Sequence, residues 1–208
     1  GGLPGTPIRI IGSTNFAAGG TIFDRQTGAA GTYGLDFNGV NHMRVSDVRV
    51  RNGASGVRVY GGSQIELQGI VAVSNRGVGF DVQYASGVLL QRCLARQSTT
   101  NGLWIRGSTG IKVDRSVFWR NAYTGIRADG GNMLVSNSVV VASGYKAQCY
   151  FATSPTNIVG DYNDLYAESN AVVGYLVSVA RNRDALATWT GETGNERNSL
   201  SVNPYFAN

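Results

Sequence analysis

The sequence predicts an all-β solenoid: short parallel strands wound into about seven stacked coils of 22–23 residues, ended by a short C-terminal helix. Three observations predict it. A small-residue–apolar–X–apolar unit begins at Gly34, Gly56, Gly79, Gly102, Gly125 and Gln148, with gaps of 22, 23, 23, 23 and 23 residues. Each interval holds three short runs in which apolar and polar residues alternate with period two. Glycine supplies 29 of 208 residues, against only 4 prolines and no Gly-X-Y period. That composition excludes collagen and points to many turns between strands.

The elements follow in chain order. Residues 7–11 (PIRII) read as a strand of an irregular first coil, and residues 21–23 as its next strand, with a loop between them. The coil from Gly34 holds LDF, MRV and VRV; the coil from Gly56 holds VRV, IEL and VAV; the coil from Gly102 holds LWI, IKV and VFW. Turns fall at Asn41, at Gly61 and Gly62, at Ser86 and Gly87, at Ser108 and Thr109, and at Gly130 and Gly131. Three strands and three turns make a triangular coil whose strands pair with their counterparts one coil away, at ~4.8 Å. No coil can bury its own apolar face, so stacking must supply the core.

The expected inward columns are Leu35, Val57, Phe80, Leu103, Ile126 and Cys149, then Phe37, Val59, Val82, Ile105, Ala128 and Phe151. Met43, Ile65, Val88 and Ile111 are their second-strand equivalents. Asn52, Asn75, Ser98 and Asn121 follow the third strand and read as a structural ladder, bonded to turn backbone and to one another along the axis. After residue 164 the period fades. Residues 172–175 read as a strand, and residues 184–189 as a short helix with Asp184 near its N-cap. Leu186 and Trp189 then share one face and cover the last coil. The domain reading is a single domain over 1–208, with regular coils at 33–166 and irregular caps at 1–32 and 167–208.

Other function classes find no support. No apolar run approaches the roughly 18 residues of a membrane span. No leader is visible before Gly1, so the chain reads as a mature or excised piece, a monomer or a fragment of a longer protein. The net charge of +5 permits an acidic partner without selecting one. The positive charge is not clustered and no recognition motif occurs, so nucleic acid is not expected. Cys93 and Cys149 fall on the third and first strands, too far apart for a disulfide, and read as buried thiols. Asp161, Tyr162, Asn163 and Asp164 read as a turn with side-chain-to-backbone bonds, with calcium binding as the alternative.

The columns and turn ladder resemble the right-handed parallel β-helix proteins of the pectate-lyase-like superfamily, over about residues 34–164. The resemblance implies the right hand of the coil and a groove along the first sheet. The ending, residues 198–206, resembles the terminal segment of bacterial members. Tyr33-Gly34-Leu35-Asp36 resembles the start of the Tyr-Gly-Phe-Asp-Pro-His motif of alginate epimerases, breaks from it at Phe37 and Asn38, and carries over Asp36 alone. His42, six residues later, reads as a turn residue rather than a general base. The matching expectation for location is secreted or cell-surface.

The outward residues of the first strand are the functional candidates. At one height they read Asp36, Arg58, Asp81, Trp104, Arg127 and Tyr150; two residues on they read Asn38, Tyr60, Gln83, Arg106, Asp129 and Ala152. The catalytic candidates are Asp36, Asp81, Arg58 and Arg106. The substrate-binding candidates are Asn38, Tyr60, Gln83, Trp104, Arg127, Asp129 and Tyr150. The expected partner is a polysaccharide, in particular an acidic one: aromatic rings stack on sugars and arginines hold carboxylates. An elimination would also need the C5 proton acidified, so Ca²⁺ on Asp81 or Asp36 is the candidate cofactor, with no metal site assigned. Asp36 and Asp81 lie two coils apart, ~9.6 Å, at the edge of the range for two hydrolytic carboxylates. A lyase or epimerase-like enzyme is therefore expected ahead of a hydrolase. The alternative is a non-catalytic carbohydrate-binding module, spacer or adhesin segment, because near-constant coils leave little sequence for groove walls. On that reading Asp36–Arg58–Asp81 and Arg106–Asp129 are charge pairs that brace the sheet.

Overall fold

A computed structural model describes residues 1–15 and 19–206; part of the first predicted loop, residues 16–18, lies outside the described residues. The chain winds into a right-handed β-solenoid of about seven coils, with one short α-helix near its C-terminus. Strands stack in parallel on three walls. Two strands, Asn101–Asp114 and Thr124–Ser136, continue round the first corner, so the first and second walls merge into one 13-stranded sheet. The third wall is a separate 7-stranded sheet. Ile8–Ile11 and Thr21–Asp24 form the first rungs of the second and third walls, as their patterns predict.

The core is the axial stack of inward side chains. Leu35 pairs with Val57, Val57 with Phe80, Phe80 with Leu103, and Leu103 with Ile126. All but the half-buried Leu35 are fully enclosed. The second-strand column Met43, Ile65, Val88 and Ile111 is buried as well.

At Ile126 the expected column breaks. Its partner is Tyr150, not Cys149, because the step to this coil is 24 residues. The extra residue lies in the turn at 144–147, and an odd slip exchanges the faces of a strand. Tyr150 and Ala152 therefore point inward and are buried, while Phe151 lies outside beside Arg127. Cys149 falls opposite Gly125, at the level of the column of small residues, and is buried too.

Each turn between the second and third walls needs one left-handed residue: Asp47, Gly69, Arg92, Arg115, Asn137 and Tyr162, with φ between 48° and 63°. Five of the six carry a side chain, at a steric cost that Gly69 avoids. Hydrogen bonds between coils offset it. The residue after the kink donates its N–H to a side chain of the next coil: Cys93 to Ser116 Oγ at 3.1 Å, Ser116 to Ser138 Oγ at 3.1 Å, Ser138 to Asn163 Oδ1 at 2.9 Å. This second ladder is absent from the sequence reading, and it places Cys93 in a turn rather than on the third strand. Both cysteines are free, and burial pushes both thiols up to about 12.

The asparagine ladder after the third strand is present with a different membership. Asn75 Oδ1 accepts from Gly53 N at 3.3 Å, and Asn121 Oδ1 accepts from Ser98 N at 3.1 Å. Asn52 stands one position too early, since a 22-residue step aligns it with Ser74; it is the left-handed residue of its turn and donates to Asp24. The bonds run to backbone of the neighbouring coil, not from one asparagine to the next.

The C-terminal end is closed by three devices. Arg181–Arg183 pairs antiparallel with Val172–Leu176 and ends the first wall. Helix α1, Leu186–Thr193, lays buried Trp189 over Gly174 and Tyr150, with Leu186 packed beside it. Asp184 does not cap it; Ala185 takes that position with no side-chain bond, and Asp184 lies exposed. Buried Arg183 reaches back to Glu192, Nε to Oε2 at 2.6 Å. Glu196 then plugs the core, accepting from Tyr150 Oη at 3.1 Å and Asn163 Nδ2 at 3.0 Å. The tail, residues 198–206, turns along the axis over the third wall. It is clamped by Asp161 on Asn198, by Asp164 on Val202 N, and by Phe206 on Trp119 at 5.1 Å.

Phe80→Ala, opening a void at the centre of the stack, is expected to cost about 3–5 kcal/mol in urea denaturation. Burial holds the Glu196 carboxyl above its ordinary 4.5. A raised folded value adds stability that is fully present below 4.5 and lost as pH rises through the raised value. The stability of the wild type relative to Glu196→Gln should therefore increase on acidification through that window, as measured by paired denaturation curves.

Candidate functional site

Parallel stacking brings the outward residues of the first wall into the predicted register: Asp36 beside Arg58, Arg58 beside Asp81, Asp81 beside Trp104, and Trp104 beside Arg127. The second row, Asn38, Tyr60, Gln83, Arg106 and Asp129, stacks likewise. Ten of the eleven expected site residues thus share one face. Tyr150 does not, because the slip turns it into the core.

The four catalytic candidates form two closed ion pairs. Arg58 grips Asp36 with two bonds, at 2.8 and 2.9 Å, while its guanidinium lies 4.2 Å from the centre of the Tyr33 ring and 5.5 Å from that of Tyr60. Arg106 Nη2 donates to both oxygens of Asp81, at 2.8 and 2.9 Å, and Gln83 adds a third bond to the same carboxylate. Asp81 is almost fully buried by this cover. Donating to the Asp36 carboxylate lifts the Arg58 guanidinium above the ordinary arginine value, against a smaller effect of burial. A catalytic base must release its proton, and Arg58 is held in the opposite state. Calcium does not fit these aspartates as they stand. Each faces an arginine, and among the described residues no three His, Cys, Asp or Glu side chains gather to hold a metal.

The expected Arg106–Asp129 pair is replaced by Arg127–Asp129 at 2.9 Å, because Arg106 turns toward Asp81. Trp104 donates Nε1 to Asp129 at 2.7 Å, and Arg106 and Arg127 lie 4.1 and 4.9 Å from its ring centre. Its ring is already occupied by guanidinium groups. Tyr60 is exposed and meets Tyr84 edge to face at 5.8 Å; Asn38 is exposed, and His42, expected in a turn, is instead half-buried at the start of the strand Asn41–Ser46 with a left-handed φ of 52°.

The open part of this face lies further down, where sequence reading did not look. Phe151 and Tyr175 stack at 5.5 Å with their planes 18° apart, and Arg127 lies 4.3 Å over Phe151. With Lys146, Gln148, Val177 and Asn182 they line a cleft of about 570 Å³. Lys146 is exposed and makes no ion pair among the described residues. The longer turn before Gln148 was the available signal: residues 144–147 stand where the coil before has only 122 and 123, which turns the 22-residue step of the third wall into the 24-residue step that moves Phe151 to the outside.

Among the described residues no helix is long and apolar enough to cross a membrane. No curated protein sequence matches the chain. Two solved structures share the fold. One is a pectate lyase, Pel9A, with 15% identity, TM-score 0.60, covering 84% of this chain and 52% of that one. The other is the A-module of the Azotobacter vinelandii mannuronan C-5 epimerase AlgE4, with 11% identity, TM-score 0.51, covering 84% and 56%. The chain thus matches about half the length of each. The family described as right handed beta helix region matches residues 33–182, and these coils, with their wall-to-wall ladders, belong to it.

Proposed function

We propose that this chain is a carbohydrate-binding β-helix that holds an acidic polysaccharide on the outer face of its first wall without transforming it. The observation that carries this reading is the Phe151–Tyr175 stack in an open cleft lined also by Lys146, with Arg127, paired to Asp129, over the far side of Phe151. Since Arg127 and Tyr175 cover the two faces of Phe151, the outward edges of the stacked rings are what they offer to the apolar face of a sugar ring. Guanidinium and ammonium groups suit its carboxylates. Higher on the same wall, Asp36–Arg58 and Asp81–Arg106 serve as struts, since each carboxylate is already satisfied. A glycan ligand of this kind fits a secreted or cell-surface role.

One observation favours a catalytic second reading. Arg106 Nε is shielded from solvent and has no hydrogen-bond partner. A lyase or epimerase-like step would take its base from this arginine only once substrate had drawn it off Asp81, which holds it protonated as Asp36 holds Arg58. Incubation with oligouronates distinguishes the two: appearance of an unsaturated or inverted uronate overturns the non-catalytic reading.

Phe151→Ala and Tyr175→Ala should each weaken binding of an oligogalacturonate about tenfold, on the scale of an aromatic contact of ~1.4 kcal/mol, by calorimetric titration. Asp81→Ala, which strips Arg106 of its partner, should lower stability by about 1–3 kcal/mol in urea while changing that affinity less than about twofold.

A further inference from the structure

The third wall carries a trough that the first-wall reading does not use. Val71, Leu94 and Val117 stand in one register on its outer face, each half-buried, and form an apolar floor that crosses the coils. The C-terminal tail lies on the same face. Leu200 pairs in parallel with Asp164 at the free edge of the wall, its carbonyl accepting from Leu165 N at 2.9 Å, and from there the tail passes over the wall until Phe206 reaches Trp119 two coils away. The wall therefore already accommodates an extended chain running along the axis. Against Phe206, among the described residues, the trough forms a groove of about 330 Å³, with Leu94, Val117 and Trp119 on its floor and Arg92, Arg96 and Arg115 around it.

The charges here differ from those of the first wall. Arg115 is paired with Asp114 at 2.8 Å. Arg92 and Arg96 make no ion pair among the described residues, and Arg96 Nε is shielded from solvent with no partner. Arg49, in register with Val71, has the same orphaned Nε. Shielded guanidinium N–H groups without acceptors are costly unless something supplies them. An apolar floor bordered by such groups complements a linear polymer with flat ring faces and regularly spaced anions.

We propose that this trough is a second glycan site. It takes a carboxylated or sulfated sugar chain along the axis, with its rings over Leu94 and Val117, beside the Trp119–Phe206 pair, and its anions on Arg92 and Arg96. The site is independent of the first-wall cleft, and together the two would let one molecule bridge two polysaccharide chains.

Calorimetric titration of the full chain with hexagalacturonate and with a heparin-derived hexasaccharide tests it. At least one of these ligands should fill two sites per chain. Arg92→Gln/Arg96→Gln should remove one site and leave the affinity of the other unchanged, with circular dichroism confirming the fold. Arg92→Gln alone, at an exposed position, should weaken that site about tenfold, which covers misfolding of the double variant. Phe151→Ala/Tyr175→Ala should remove the other site. Unchanged stoichiometry and affinity in both arginine variants overturns the proposal. Equal binding of a single-stranded oligonucleotide at the trough overturns its assignment to glycans. If only the Phe151/Tyr175 variant loses binding, the trough falls and the first-wall reading stands; if only the arginine variants do, the reverse holds.

Discussion

Everything in this molecule depends on parallel backbone pairing between a residue and its counterpart one coil away. That pairing fixes the ~4.8 Å rise, and the rise decides which side chains can touch. Inside, it stacks Val57 on Phe80 and Phe80 on Leu103 into a column without a gap. At the corners it sets Ser116 and Ser138 where each can accept from the coil before it. The left-handed kinks at Arg92 and Arg115 persist because this neighbouring coil satisfies their turns.

The same pairing governs the outer surface. Opposite charges one coil apart close on each other, as in Asp36–Arg58, and a longer side chain such as Arg106 reaches across to Asp81. The upper first wall is electrostatically self-sufficient as a result. The two proposed binding sites lie where the ladder is interrupted. At this rung the slip exposes Phe151 in place of Tyr150, beside Tyr175, and on the third wall an apolar stripe runs beside Arg92 and Arg96, which make no ion pair among the described residues.

Periodicity made most of the fold legible. A repeat kept within one residue over six units leaves no other way to bury its apolar positions, so the walls, the inward columns to Ile126 and the outward rows could be read directly. Single-residue offsets were not legible. Whether the step from Gly125 is 23 or 24 depends on how the turn at 144–147 is absorbed, and that choice exchanges Tyr150 for Phe151. Asn52 was misplaced for the same reason, by a 22-residue step. The partner of Arg106 could not be read because a flexible side chain selects among several acids within reach. Glu196 and Arg183 carry no periodic signature at all, yet both are buried where the solenoid ends.

Contacts in a coil array run almost entirely between adjacent rungs, so such arrays tend to lose order progressively from an end. The tail over the third wall changes that here. By fastening Leu200 beside Asp164 and Phe206 against Trp119, it ties rungs that do not otherwise touch. Peeling of the last rungs then requires the tail to detach first, so the C-terminal portion should melt as one cooperative block rather than fray rung by rung.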